Sequence, residues 1–226
     1  MTEDCSDFTE LVFTANGNLY TDFDYTQEQM AETRKQILQR TERACFDLLL
    51  ALGIDVTNDP NVKDTPRRMA RMYVNELLRG RYEDLPELRE FPNKRAFDQF
   101  YVVGPVSITS LCSHHFLPFT GECFIGLLPD PNKPVLGLSK FARMADWIFS
   151  RPQIQEEATQ QLAALIQRVC RPRGLGLVVE AEHQCMTIRG VKKSGSRMMT
   201  SAMLGVFREN AAARAELFEL FKLAKE

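Results

Sequence analysis

The order of strand-like and helix-like segments is the feature of this sequence that most restricts its fold. Two runs rich in β-branched and aromatic residues come first, "FYVVGPVSITSL" and "GECFIGLLP", and two more come later, "LGLVVEAEHQCMTI" and "MTSAMLGVF". Between these pairs lie two helix-like segments, "KFARMADWIFS" and residues 154–169. Strand pairs on either side of a helix pair predict an α+β fold, in which an antiparallel sheet carries the helix pair on one face.

Helix-like segments also precede the first strand and follow the last one. Residues 28–52 have apolar residues at helical spacing and end at Gly53. The segment "TPRRMARMYVNELLRG" predicts a second helix, with Thr65 as its N-cap and Pro66 as its first residue. A last helix is predicted in "NAAARAELFELFKLAKE". We therefore predict a polar arm over residues 1–27, a helical region over residues 28–95, and an α+β domain with a C-terminal helix over residues 96–226.

Charge and hydropathy argue against several classes of protein. A net charge of −2 over 226 residues does not suit nucleic-acid binding through bulk electrostatics. The beginning, "MTEDCSDFTELVF", lacks the basic and apolar regions of a secretory signal. No apolar run approaches the about 20 residues that cross a bilayer. These features predict a cytoplasmic protein with no membrane or nucleic-acid partner, whose 6 cysteines stay reduced as core thiols or metal ligands.

All 3 histidines of the chain stand near cysteines. Cys112 and His115 have the Cys-x-x-His spacing of zinc ligands, and His183 and Cys185 are two residues apart. If "AEHQC" is a strand, alternation places the last two side chains on one face. We predict that Cys112, His115 and Cys185 hold Zn²⁺ with an open fourth position, as in catalytic sites. His114 and His183 remain as candidate proton carriers.

Two plainer interpretations compete with a catalytic zinc site. Cysteine is among the most buried residue types, so each of these thiols, taken singly, fits a core position. A closed structural zinc site is the second interpretation, with Cys123 as the fourth ligand.

Polar residues that suit an anionic substrate cluster in the same segments. Ser139 and Lys140 at a predicted helix start combine backbone N–H groups with a cation, which favours an anion such as a phosphate. Glu156 on the following helix is a surface carboxylate by default, but in a pocket it would accept from the N–H groups of a purine. Further basic residues lie nearby or on one side of the second helix: Arg143, Arg189, Arg68 and Arg71. Taken singly, each is more often a solvated surface charge.

Several segments together resemble the signatures of the GTP cyclohydrolase I family. These are "CSHHFLPFTG", "VLGLSKFARMADW", "RPQIQEEATQQLA", "VVEAEHQCMTIRGV" and "TSAMLGVFREN", in this order, and the resemblance covers residues 28–209. It implies the tunnelling fold (T-fold), with active sites between subunits of a homodecamer made of two pentameric rings. It also implies conversion of GTP and water to formate and 7,8-dihydroneopterin triphosphate, the first step toward folate and other pteridines.

The resemblance assigns roles to matching residues of this chain. Cys112, His115 and Cys185 would hold the zinc ion, which activates the water that adds to C8 of guanine. His114 and His183 would move protons as the imidazole ring opens and formate leaves. The remaining residues, among them Gln155, would bind substrate. Glu156 would bind the guanine edge, and the triphosphate would be held by Ser139, Lys140, Arg143, Arg189, Arg68 and Arg71.

Ser113 is the main departure from the family pattern, which usually has an acidic residue between the cysteine and the two histidines. A carboxylate there would orient a neighbouring histidine. Arg71 replaces a frequent lysine, and Met198 and Met199 replace more polar residues. The alternative to an active enzyme is therefore a homologue that binds zinc and GTP but acts as a regulatory subunit or stops at the ring-opened formamide. Retention of both His114 and His183 favours the active enzyme.

Overall fold

A computed structural model describes residues 27–225 of the chain. The predicted N-terminal arm therefore lies outside the described residues, except for Gln27, which begins the first helix. Within the described part, no helix combines the length and the apolar character needed to span a membrane.

The predicted N-terminal helices are present, with one correction at the start of the second. Helix α1 spans Gln27–Ala51 and helix α2 spans Thr65–Arg71, which continues as a π-helical turn over Met72–Leu77 and a 3₁₀ turn over Arg79–Arg81. The N-cap of α2 is Asp64 and not Thr65. Proline is tolerated throughout the first helical turn, so Pro66 does not fix the N-cap to the residue before it.

Two sheets form from seven strands among the described residues. The strands are β1 (Glu90–Phe91), β2 (Tyr101–Cys112), β3 (Pro118–Leu128), β4 (Val135–Leu136), β5 (Pro152–Gln153), β6 (Gly174–His183) and β7 (Arg197–Gly205). The main sheet has the order β5-β2-β3-β6-β7, and β1 pairs with β4. The four long strands are antiparallel, as predicted, whereas the two-residue strand β5 runs parallel to β2.

Helices cover both faces of the main sheet. The predicted pair, α3 (Leu138–Phe149) and α4 (Gln155–Cys170), shares one apolar core with alternate residues of the strands, such as Ile125 of β3 and Leu177 of β6. On the opposite face, Phe124 and Val178 pack in a second cluster, which also contains residues of the C-terminal helix. The α+β architecture is confirmed, with this second helical layer in addition to the predicted pair.

Three shorter or later helices complete the described chain. They are α5 (Gln184–Thr187), α6 (Val206–Glu209) and α7 (Ala211–Lys225). Helix α7 approaches the sheet closely because Gly126 and Gly176 have no side chain: a Cβ at either position would lie about 2 Å from Leu217 of that helix. Helix α5 corrects the prediction of one continuous strand through "AEHQC", because the strand ends at His183 and Cys185 lies in a helical turn.

Candidate metal centre and active site

Three potential metal ligands from distant parts of the chain meet at one end of the main sheet. The ligand atoms of Cys112, His183 and Cys185 all lie within 4.8 Å of one another. Cys112 ends β2 and His183 ends β6, and the start of β3 pairs with both strand ends, since Pro118 faces Leu111 and Phe119 faces His183. The sheet register therefore brings the two predicted segments together, although Cys185 reaches the group from a helical turn rather than from the strand.

The loop after Cys112 folds back on itself as a tight turn. The Phe116 N–H donates to the carbonyl of Cys112 at 2.8 Å, and the Cys112 N–H donates to the carbonyl of Leu117 at 2.9 Å. Phe116 takes the left-handed conformation, with φ +53°. This turn places Nδ1 of His114 3.7 Å from the Cys112 sulfur, within the range of a hydrogen bond to sulfur. The candidate proton carrier His114 is thus adjacent to the three-residue group.

His115, the predicted third zinc ligand, is not a member of that group. Its side chain is exposed, and its Nε2 lies 3.0 Å from the guanidinium of Arg189. Because arginine only donates, this nitrogen of His115 accepts the hydrogen bond and carries no proton. The predicted set and the group in the structure share both cysteines and differ in the histidine.

Burial and neighbouring groups shift the pKa values around the cysteine pair. Burial, followed by the charge and hydrogen bond of Cys112, raises the pKa of the Cys185 thiol. Burial lowers the pKa of His183, against the opposing charge of Glu156. His183 is therefore favoured as a neutral imidazole, the form that binds a metal or accepts a proton. Two sulfurs and an imidazole nitrogen are a donor set that suits Zn²⁺, and a bound cation would favour the thiolate forms.

Cys123 does not belong to the site, contrary to the closed structural zinc interpretation. Its side chain is completely buried on β3, where it is part of the apolar core beneath α3 and α4. Burial strongly raises the pKa of this thiol. Cys123 therefore has the surroundings of a core thiol rather than of a metal ligand.

Gln155, expected among the substrate-binding residues, has its side chain enclosed within the protein. It is 0 % exposed at the start of α4. Its Nε2, which carries two hydrogens, lies 3.1 Å from each of three acceptors: the carbonyls of Val179 and Met198 and the hydroxyl of Thr200. Its Oε1 lies 2.8 Å from Nε2 of His183. The side chain is thus saturated with protein partners and contacts a candidate catalytic histidine directly.

Phe119 and two threonines were not found by sequence reasoning. The Phe119 ring stacks on the imidazole of His183, with ring centroids 4.6 Å apart and planes inclined by 10°. Thr159 and Thr200 share a hydrogen bond of 2.7 Å next to Gln155. The i, i+4 spacing of Gln155 and Thr159 on a predicted helix was a usable signal. Thr200 had none, because its place depends on the pairing of β6 with β7.

The remaining residues expected to bind substrate lie in different places relative to this group. Glu156 and Arg189 are close to it, since the charge of Glu156 acts on His183 and that of Arg189 acts on Cys185. Three of the residues expected at the triphosphate lie in the first turn and a half of α3: Ser139, Lys140 and Arg143. The Lys140 ammonium donates to the carbonyl of Glu87 at 2.7 Å.

The first turn of α3 lies at the opposite end of this helix from the metal-ligand group. The C-terminal end of α3 is the near end, because Gln153 pairs with Cys112 in the sheet and donates to the carbonyl of Ile148. The helix has 12 residues, a length of about 18 Å. Ser139 and Lys140 therefore lie at the far end of this helix.

Arg68 and Arg71 are exposed on α2. Between them, Met69 lines a cavity of about 590 Å³, to which Phe116 of the histidine loop also contributes. Helix α2 thus lies next to the loop that carries His114 and His115.

Comparisons with known proteins identify the family of this chain. The family model described as GTP cyclohydrolase I matches residues 41–222. GTP cyclohydrolase 1 of Pelotomaculum thermopropionicum is 42 % identical over 183 residues, which is 81 % of this chain and 96 % of that protein. GTP cyclohydrolase 1 of Bacillus cytotoxicus is 42 % identical over 185 residues, which is 82 % of this chain and 96 % of that protein. GTP cyclohydrolase 1 of Brevibacillus brevis is 40 % identical over 185 residues, which is 82 % of this chain and 97 % of that protein.

The matched region contains every predicted site residue and every strand of the main sheet. The fold of this family is the T-fold, with which the antiparallel-rich sheet and its helices are consistent. The chain belongs to the GTP cyclohydrolase I family.

Proposed function

We propose that this protein is a GTP cyclohydrolase I, which converts GTP and water to formate and 7,8-dihydroneopterin triphosphate. The observation that carries the proposal is the meeting of Cys112, Cys185 and His183 within 4.8 Å, with His114 beside them, in a chain of this family. The cytoplasm, where thiols stay reduced, is the proposed compartment, and the 5 cysteines of the described residues are free thiols.

Cys112 and Cys185 are proposed to hold a zinc ion together with His115. His115 is exposed on a short loop, and the nitrogen that faces Arg189 is unprotonated, so a reorientation of this side chain provides a third ligand. A zinc ion held by these residues would supply a Lewis acid that activates water near neutral pH.

The other residues of the site bind the base and move protons. His183 is held neutral by burial and is therefore ready to accept a proton during opening of the guanine imidazole ring. His114, adjacent to Cys112, is the second proton carrier. The exposed carboxylate of Glu156 accepts from the N–H groups of the guanine edge, and Arg189 binds phosphate on the same side of the site.

A neighbouring subunit is proposed to complete the site. Ser139, Lys140 and Arg143 lie toward the far end of α3 from Cys112, so one chain does not gather them around one triphosphate. An assembly with sites between subunits brings the first turn of α3 of one chain to the cysteine pair of another. The homodecamer implied by the family resemblance has this property.

The test is a product analysis of the purified protein loaded with zinc and incubated with GTP. Formate and dihydroneopterin triphosphate, identified by mass spectrometry, are the expected products. A ring-opened formamide without formate would support the alternative in which Ser113 replaces a needed carboxylate. Unchanged GTP, with one zinc per chain confirmed, would contradict the enzymatic function and favour a regulatory subunit.

A further inference from the structure

Gln155 lies at the centre of a closed hydrogen-bond network that ends at His183. The network joins three elements: α4 through Gln155 and Thr159, β7 through Met198 and Thr200, and β6 through Val179 and His183. Gln155, Thr159 and Val179 are completely buried. Buried polar groups that are fully paired hold each other in one arrangement, because each lost bond leaves an unpaired group.

The hydrogen atoms of the two threonines determine the direction of every bond. Thr159 Oγ1 lies 2.7 Å from the carbonyl oxygen of Gln155, which only accepts, so the single hydroxyl hydrogen of Thr159 is used there. In the 2.7 Å contact between the two hydroxyls, Thr200 must then be the donor. Thr200 has no further hydrogen and is an acceptor toward Gln155.

The orientation of the Gln155 amide follows from these directions. The end of the amide that faces Thr200 must be the NH₂ group, because Thr200 is an acceptor there. The carbonyls of Val179 and Met198 face the same end and also accept. Three acceptors thus surround one end of the amide. The opposite end is the carbonyl oxygen, and it faces Nε2 of His183 at 2.8 Å. An amide oxygen only accepts, so Nε2 of His183 carries a hydrogen.

We propose that Gln155, Thr159 and Thr200 are positioning residues that hold His183 as its Nε2–H tautomer. In a neutral imidazole with a hydrogen on Nε2, the lone pair is on Nδ1. Nδ1 is therefore the nitrogen that can accept a proton, and stacking on Phe119 fixes the plane of the ring. The inference rests on the proposed function for its catalytic consequence, and it assigns Gln155 a role other than contact with substrate.

The tautomer is measured directly in the zinc-loaded protein without substrate. The chain has 3 histidines, so ¹⁵N labelling of histidine gives few signals, and the His183→Gln variant identifies those of residue 183. Solid-state ¹⁵N spectra recorded where the imidazole is neutral distinguish a protonated Nε2 from a protonated Nδ1. We expect the Nε2–H form. A His183 signal of the Nδ1–H form would overturn the proposal.

The Gln155→Met variant separates positioning from substrate contact. Methionine has a similar size but removes the acceptor for His183, so we expect a mixture of His183 tautomers and a kcat lower by about 10- to 100-fold, with KM within about 2-fold. A raised KM with an unchanged tautomer would show that Gln155 contacts substrate. Gln160→Met is the matched control, since Gln160 is exposed on the same helix, and it should behave as the parent.

A second pair of variants serves if Gln155→Met fails to fold. Thr200→Val keeps the shape but removes the hydroxyl, so it should lower kcat several-fold. Thr200→Ser keeps the hydroxyl and should have the parental kcat. Equal activity of the valine and serine variants would contradict the network. Failure of the proposed function has a different outcome, since a parent that releases no formate from GTP can still display the Nε2–H tautomer of His183.

Discussion

The choice between two histidines decides how the metal centre works. His183 lies with the two cysteines, but its Nε2 is already held by Gln155. Nε2 of His115 accepts a hydrogen bond from Arg189, and His115 lies on a loop that begins at Cys112. The sequence spacing of Cys112 and His115 predicts that both bind one ion, whereas in the structure the histidine that lies with the two cysteines is His183. A direct measurement of metal content distinguishes these two assignments.

We expect His115→Ala to lose most of its zinc and His183→Ala to retain it. The reason is that the first variant leaves only two thiol ligands, while the second keeps the proposed set and loses a proton carrier. Zinc per chain is measured by mass spectrometry after dialysis, together with formate release. His114→Ala, which also removes an imidazole from this loop, is the control that should keep zinc. Loss of zinc in His183→Ala with retention in His115→Ala would make His183 the third ligand.

At the scale of the elements, one carboxylate fastens the C-terminal helix to the sheet. Glu180 of β6 has a side chain that is 11 % exposed, and it forms ion pairs with Lys225 of α7 and with Arg197 of β7, the latter at 2.8 Å. The hydrogen bond from Lys225, supported by Arg197, lowers the pKa of Glu180 although burial opposes the shift. The ionised form therefore stabilises the folded protein.

The Glu180→Gln variant should be less stable than the parent by about 1 kcal/mol at neutral pH. Because the folded pKa is depressed, this stabilisation is fully present above the unfolded value of about 4.3 and is lost as the pH falls through the folded pKa. The difference between variant and parent should thus disappear in acid. Denaturant unfolding at several pH values and one protein concentration checks this. Glu219→Gln is the control. It removes an exposed ion pair with Lys222 within α7 and should show little difference in stability from the parent at any pH.

The elements themselves were largely predictable from sequence, and the exceptions have physical causes. The four long strands and the flanking helices follow from periodicity and from β-branched composition. The two-residue strand β5 was missed because its pairing with β2 is a tertiary contact with no local pattern. The helical turn at Gln184–Thr187 was missed because "HQCMT" continues a strand-like run, and the main sheet ends before it.

The candidate site was predictable in its residue types and less so in its contacts. Cysteine and histidine spacing identified both segments, and the sheet register explains why they meet. The burial of Gln155 was not predictable, because a glutamine in the first turn of a helix is usually exposed. Its enclosure depends on Thr200 and Val179 from two other elements. Distances between such elements are a property of the folded sheet and not of any one segment.

At the scale of the whole molecule, the proposal that sites are shared between subunits predicts that two inactive variants recover activity when they are combined in one assembly. Cys112→Ala removes a proposed metal ligand, and Lys140→Ala removes a cation proposed to bind the triphosphate, so each variant alone should be nearly inactive. Coexpressed at equal amounts, they should restore about one quarter of the parental sites, if each site takes one half from each of two chains. Formate release by the mixed assembly is the measurement.

Mixing Cys112→Ala with Cys185→Ala is the matched control, because both changes damage the same half and should give no recovery. If the Cys112→Ala and Lys140→Ala mixture also stays inactive while it assembles normally, then both halves of the site come from one chain. The proposal of sites between subunits would then be wrong.

Strand β7 is the outermost strand on its side of the main sheet, and it contains both Met198 and Thr200. An edge strand is where a second chain can add its own strand. The surface available for assembly and the bonds that orient His183 are therefore parts of one strand. On the proposed role of Thr200, a protein engineer who redesigns this edge to change subunit association also disturbs the hydrogen bonds that orient His183.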